Sequence, residues 1–91
     1  MLIRDLSEER SVSEQLDALE KDCPQIADTW RALGWLLART PEKGLVIDDK
    51  RPTMRVYRVS TFPPLPDIVV AYTFDDKVVS FFAIRMVRKG Q

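Results

Sequence analysis

The sequence predicts an α+β domain, with an N-terminal helical hairpin packed on an antiparallel sheet of three to four strands. Three observations point there. Apolar residues recur at helical spacing between Val12 and Leu37, and from Leu45 onward the period changes to two. Two nearly continuous apolar runs, IVVAYTF and VVSFFAIRMV, then flank a short acidic turn. Helices gathered on one face of such a sheet define the class. At 91 residues there is room for one core, so 1–91 is read as a single domain.

Leu2 and Ile3 suggest a short first strand. Ser11 with Glu14 three residues later fits a capping box, and Val12, Leu16, Leu19 and Cys23 form the apolar stripe of the helix that follows. Pro24 breaks that run or opens the next helix, with Asp22 or Cys23 as its cap. On the second helix, Ile26, Ala27, Trp30, Leu33, Gly34 and Leu37 fall on one broad face, with Leu36 at its flank and Trp35 nearly opposite. Gly34 would let a neighbour approach closely. Trp35 is read either as core or as part of a docking surface for a partner. The helix ends because Pro41 disfavours helical geometry at Thr40, Arg39 complements the negative end of the dipole, and Gly44 can turn the chain in the left-handed conformation.

Beyond Gly44, Leu45-Val46-Ile47 is a short strand and DDKRPT a turn. Met54 to Ser60 alternates, placing Met54, Val56 and Arg58 on one side and Arg55, Tyr57 and Val59 on the other. If Met54 and Val56 are core, Arg58 is partly buried and Arg55 faces out. TFPPLP is a rigid loop, since its prolines cannot donate to a sheet. Asp75-Asp76-Lys77 joins the last two strands in a tight hairpin.

Composition narrows the function. The chain has no histidine and one cysteine, so it lacks the commonest metal ligand, the usual general base and any internal disulfide. No metal or cofactor is expected, and Cys23 reads as a small apolar helix residue. No stretch has signal-peptide character or the length of a membrane span, which gives a cytoplasmic expectation without membrane contact. The net charge of zero hides a division: 6 Lys+Arg against 11 Asp+Glu up to Asp49 give −5, and 8 against 3 from Lys50 onward give +5. Arginines gathered on one sheet face would suit phosphate, whereas scattered ones would guard edges and keep the protein soluble. Tyr57 and Tyr72 are read as packing residues with a hydrogen-bonded tip.

A leucine-rich helix closed by Pro41-Glu42-Lys43-Gly44 precedes the sheet, and the final hairpin carries Val70-Ala71-Tyr72, Asp75-Asp76 and Val78-Val79. In this order the chain resembles the RelE/ParE superfamily of bacterial type II toxins, whose members run short strand, helical hairpin, antiparallel sheet. The resemblance implies a toxin silenced by a co-encoded antitoxin that wraps it. The target would be messenger RNA on the ribosome, cut as RelE-like members cut it, or DNA gyrase, as for ParE-like members. Cleavage through a 2′-hydroxyl needs a base, a proton donor and cations for the phosphorane. The resemblance sets the recurrent strand arginine on Arg55 or Arg58 without choosing, and Arg85 on the last strand completes the catalytic candidates. Lys50 and Arg51 in the turn, with Arg88 and Lys89 at the end of the last strand, are its candidates for nucleic-acid binding. Where nucleases of the family often show Tyr-Arg-x-x-Tyr, this chain has Ile68-Val69-Val70-Ala71-Tyr72. An active enzyme would therefore be an mRNA endoribonuclease lacking part of the usual arginine and tyrosine set. The alternative is a stand-alone, non-catalytic interaction domain of the same fold.

Overall fold

The computed structural model describes residues 3–60 and 66–87, and its sheet is built outward from one hairpin. The strands β4 (Asp67–Phe74) and β5 (Val78–Val87) pair antiparallel, and the Asp75 carboxylate closes their turn. It accepts the N–H groups of Lys77 at 2.7 Å and Val78 at 2.8 Å, which hold its carboxyl below the usual range. Between Ala71 and Tyr72 the register shifts by a bulge, leaving Phe82 without an opposite residue. That offset lets Phe81 and Ile84, three apart, both reach the core.

On one side of the hairpin lie β3 (Met54–Val59) and the two-residue edge strand β2 (Leu45–Val46), both antiparallel. On the other lies β1 (Asp5–Glu8), parallel to β5. The α+β class holds, with five strands ordered β1-β5-β4-β3-β2 and a mixed sheet because of β1. Asp-Leu-Ser-Glu has no apolar alternation to announce a strand. Backbone pairing to Val78–Phe81 makes it one, later in the chain than Leu2-Ile3 suggested.

That pairing also fixes where the first helix starts. The Glu9 N–H donates to the Phe81 carbonyl at 3.0 Å, so the chain leaves the sheet there and α1 (Arg10–Asp22) begins at once. Glu9 is the N-cap, without a side-chain cap bond, and the Ser11–Glu14 capping box does not form. Val12 and Leu16 are buried, with Leu19 and Cys23 packed beside them. Cys23 ends α1, and Gln25 rather than Asp22 or Cys23 precedes α2 (Ile26–Arg39). Ile26, Leu33 and Leu37 meet Ile68, Val70, Tyr72, Val79, Phe81 and Ile84 in the core between helices and sheet. Leu6 takes the close approach that Gly34 permits: a Cβ there would stand 2.7 Å from its Cδ1.

After α2 the chain enters a 3-10 turn, Pro41–Lys43, and Gly44 follows with φ −70° and ψ 161°. This is extended backbone, so the left-handed conformation expected of Gly44 is not used. Glycine is needed for space instead. A Cβ at this position would collide with the Tyr72 hydroxyl and stand 2.9 Å from the Arg55 Cβ. Neither neighbour can retreat, because both are held by hydrogen bonds to this same turn. Gly44→Ala should therefore cost about 2 to 3 kcal/mol by overpacking, read as a lower urea midpoint at unchanged slope.

Candidate functional site on the sheet

The register of β3 settles the orientation that parity left open. Arg55, Tyr57 and Val59 pair with Tyr72, Val70 and Ile68, so they share the helix-covered side of the sheet. Met54, Val56 and Arg58 lie on the open side, the reverse of the arrangement in which Arg55 faces out. Both parities of MRVYRV carry apolar side chains, and only the long-range pairing with β4 distinguishes them.

Arg55 is consumed by the fold. Its guanidinium donates to the carbonyls of Pro52 at 2.8 Å, Glu42 at 2.9 Å and Gly44 at 3.0 Å, tying the start of β3 to the turn after α2. Arg4, which no sequence pattern singles out, does similar work nearby. It donates from Nε to the Asp75 carbonyl at 2.6 Å and stands 3.9 Å from Glu42, with its side chain 9% exposed. The two guanidinium carbons lie 5.6 and 5.8 Å from the Phe74 ring centroid.

Arg58 and Arg85 are the candidates brought together. Both pair with Val69 across their strands, so they lie on one row of the open face, separated by β4. Arg58 donates from Nε at 3.1 Å and Nη2 at 2.9 Å to Oδ2 of Asp67, whose side chain is 7% exposed. Arg85 is exposed. Between and beyond them the open face is mainly apolar, with Val56, Val69 and Ala71 half-buried and Leu45 73% exposed. Lys50 and Arg51 sit in the turn before β3, and Arg58 lies four residues into that strand from Met54, roughly 13 Å along it. They do not join the Arg58–Arg85 row. Arg88 and Lys89 lie outside the described residues.

The tyrosines are structural. Tyr72 is fully buried, and its hydroxyl donates to the Pro41 carbonyl at 2.5 Å while accepting the Gly44 N–H at 3.1 Å. Burial pushes its pKa up to about 12, against the opposing effects of the Gly44 hydrogen bond and the Arg55 charge. A hydroxyl so placed reaches no substrate. Tyr57 is half-buried against the core on the same side.

Two further surfaces have binding character. Trp35 is 60% exposed, which places it on the surface rather than in the core. Arg39 covers one side of it, 4.1 Å from the ring centroid, and donates to the Trp35 carbonyl at 3.0 Å. Beyond Phe81 the outer edge of β5 has no strand partner among the described residues, because β1 ends at Glu8. There a cleft of about 420 Å³ opens between α1 and β5, with Leu19, Ile84 and Met86 on its walls and Asp22 and Arg85 at its charged positions. Sequence reasoning missed it, since a free edge follows from where β1 stops.

Among the described residues no cluster of three or more Cys, Asp or Glu could hold a metal ion, and no helix is long and apolar enough to cross a membrane. Comparison with known proteins gives no matching family model, no match among curated proteins and none among solved structures.

Two measurements check these assignments. Arg58→Ala removes two charge-assisted bonds from a buried carboxylate and should cost about 1 to 2 kcal/mol, whereas Arg85→Ala should stay within about 0.5 kcal/mol, both by chemical denaturation. Because folding raises the Tyr72 pKa from 10.0 to about 12, its contribution is complete below pH 10 and fades as pH climbs toward 12. Stability profiles should fall across that window in the native protein, and Tyr72→Phe should flatten this component while lowering stability at neutral pH by about 1 to 3 kcal/mol.

Proposed function

We propose that this chain is the toxin component of a type II toxin–antitoxin pair, RelE/ParE-like, working in the cytoplasm. Its antitoxin would lay an extended segment along the free outer edge of β5. The element order supports the reading: short strand, helical hairpin, then the sheet, with the Pro41–Gly44 turn and the Tyr72 hairpin in mutual contact. The observation that carries it is the edge of β5 beyond Phe81, which has no strand partner among the described residues and lies beside an apolar cleft. An added strand finds backbone donors and acceptors on one side and side-chain pockets on the other, which is how extended segments are recognised.

The toxic step in this reading is target binding, in the manner of gyrase-directed members, rather than RNA cleavage. Arg55 and Tyr72, two of the groups a nuclease could use, are spent on holding the turn. The second reading, a stand-alone interaction domain without toxicity, is favoured by the Arg58–Asp67 pair, which occupies another cation of the candidate set.

Induced expression with and without the neighbouring reading frame separates these. The toxin reading expects growth arrest, relief by the co-expressed partner, altered plasmid supercoiling and unchanged RNA ends. Met86→Glu, placed in the cleft wall, should abolish co-purification with the partner and its relief of arrest, and Trp35→Ala tests the other exposed anchor. No growth effect would favour the interaction domain. New ribosome-dependent RNA ends that vanish with Arg85→Ala would instead establish a nuclease and overturn the binding mechanism.

A further inference from the structure

The sheet ends at β2 on three consecutive apolar residues that face solvent: Leu45 is 73% exposed, Val46 43% and Ile47 50%. Edge strands are ordinarily guarded by charge, proline or a covering element. Here the charges stand at both ends of the triplet instead, Glu42-Lys43 before it and Asp49-Lys50 after it. The ladder with β3 fixes which backbone groups are free. Ile47 donates to the Met54 carbonyl at 3.4 Å, and Leu45 pairs with Val56, so these two residues direct their N–H and C=O toward β3. Antiparallel alternation then turns both groups of Val46 outward.

We propose that β2 pairs with β2 of a second copy of this chain, antiparallel about a two-fold axis through Val46. This register lets Val46 exchange two N–H···O=C bonds with its counterpart and sets Leu45 against Ile47 of the second copy. Beyond the paired residues the chain leaves extended geometry, so the pairing brings the charged flank Glu42-Lys43 of one copy near the flank Asp49-Lys50 of the other, twice by symmetry, each flank holding one charge of either sign. Neighbouring registers are excluded by the ladder, because an axis through Leu45 or Ile47 needs N–H and C=O groups that these residues direct toward β3. Lys43, Asp49 and Lys50 make no ion pair within the chain among the described residues, and the Glu42 side chain, 3.9 Å from Arg4, is still 57% exposed. The edge buries less than the roughly 800 Å² per partner of a durable complex, so the dimer is weak and concentration-dependent. It does not rest on the toxin reading.

Sedimentation equilibrium on the full chain from about 10 μM to about 1 mM tests it. The weight-average mass of the native protein should rise from monomer toward dimer across that range. Lys43→Glu sets acid against acid and should raise the dissociation constant about tenfold, while Lys43→Glu with Asp49→Lys should restore it. Val46→Pro removes the outward N–H and should remain monomeric, with circular dichroism confirming an unchanged fold. Should that variant fail to fold, the charge-exchange pair decides alone. A native protein that stays monomeric to the top of the range, or a double variant no better than Lys43→Glu, overturns the proposal.

Discussion

The Tyr72 hydroxyl holds two ends of one turn. It gives its proton to the Pro41 carbonyl and receives the Gly44 N–H, deep in a site that water does not reach. The buried ends of this turn, Pro41 and Gly44, leave backbone groups that must be satisfied from inside the protein, and a tyrosine on a central strand supplies both a donor and an acceptor at one point. Arg55 closes the same turn from β3 by taking the carbonyls of Glu42 and Gly44. The end of α2, the start of β2 and the middle of the sheet are thus fixed to one another by two side chains. The position of α2 over the core and the pairing of β2 both follow from this junction. It also explains why the Pro-x-x-Gly turn and the hairpin tyrosine, far apart in sequence, belong to a single structural unit.

The same junction shows what could and could not be read beforehand. Helical spacing marks Val12, Leu16, Leu33 and Leu37 as core, and the acidic turn at Asp75 marks the hairpin, because these depend on local periodicity and local hydrogen bonds. The apolar run alone marks the bounds of the last strand, Val78 and Val87. The facing of β3 was not legible, since apolar residues stand on both of its sides and the choice is made by β4. The Pro-x-x-Gly pattern marks Gly44 as a turn residue, but the turn requires glycine for room beside Tyr72 rather than for an unusual φ. β1 carries no sequence signal at Asp5–Glu8, because its residues pair through backbone and all four are exposed.

At the candidate site the sequence offers a list of cations, and the structure sorts them by employment. Arg55 is bound to carbonyls, Arg58 to a buried carboxylate, and Arg85 stands in solvent. Identical residue types carry different chemistry because burial and partner decide what a guanidinium is free to do. No pattern in the sequence distinguishes them, as the partners Pro52, Glu42 and Asp67 act through groups that the fold brings near. The apolar cleft beside β5 was hidden for a related reason. It opens where β1 ends at Glu8 and no other described strand continues along β5, and such an ending leaves no motif.

The parallel pairing of β1 with β5 joins Asp5 to Val78 and Glu8 to Phe81, the first strand to the last. Such a contact spans nearly the whole chain, and the closure entropy must be met before it returns any stabilisation. During synthesis the helices and β2 to β4 can be made while β1 still has no neighbour. The sheet therefore acquires that edge only when the final strand has emerged, and until then the N-terminal segment and the outer side of the hairpin's future position remain open to other chains.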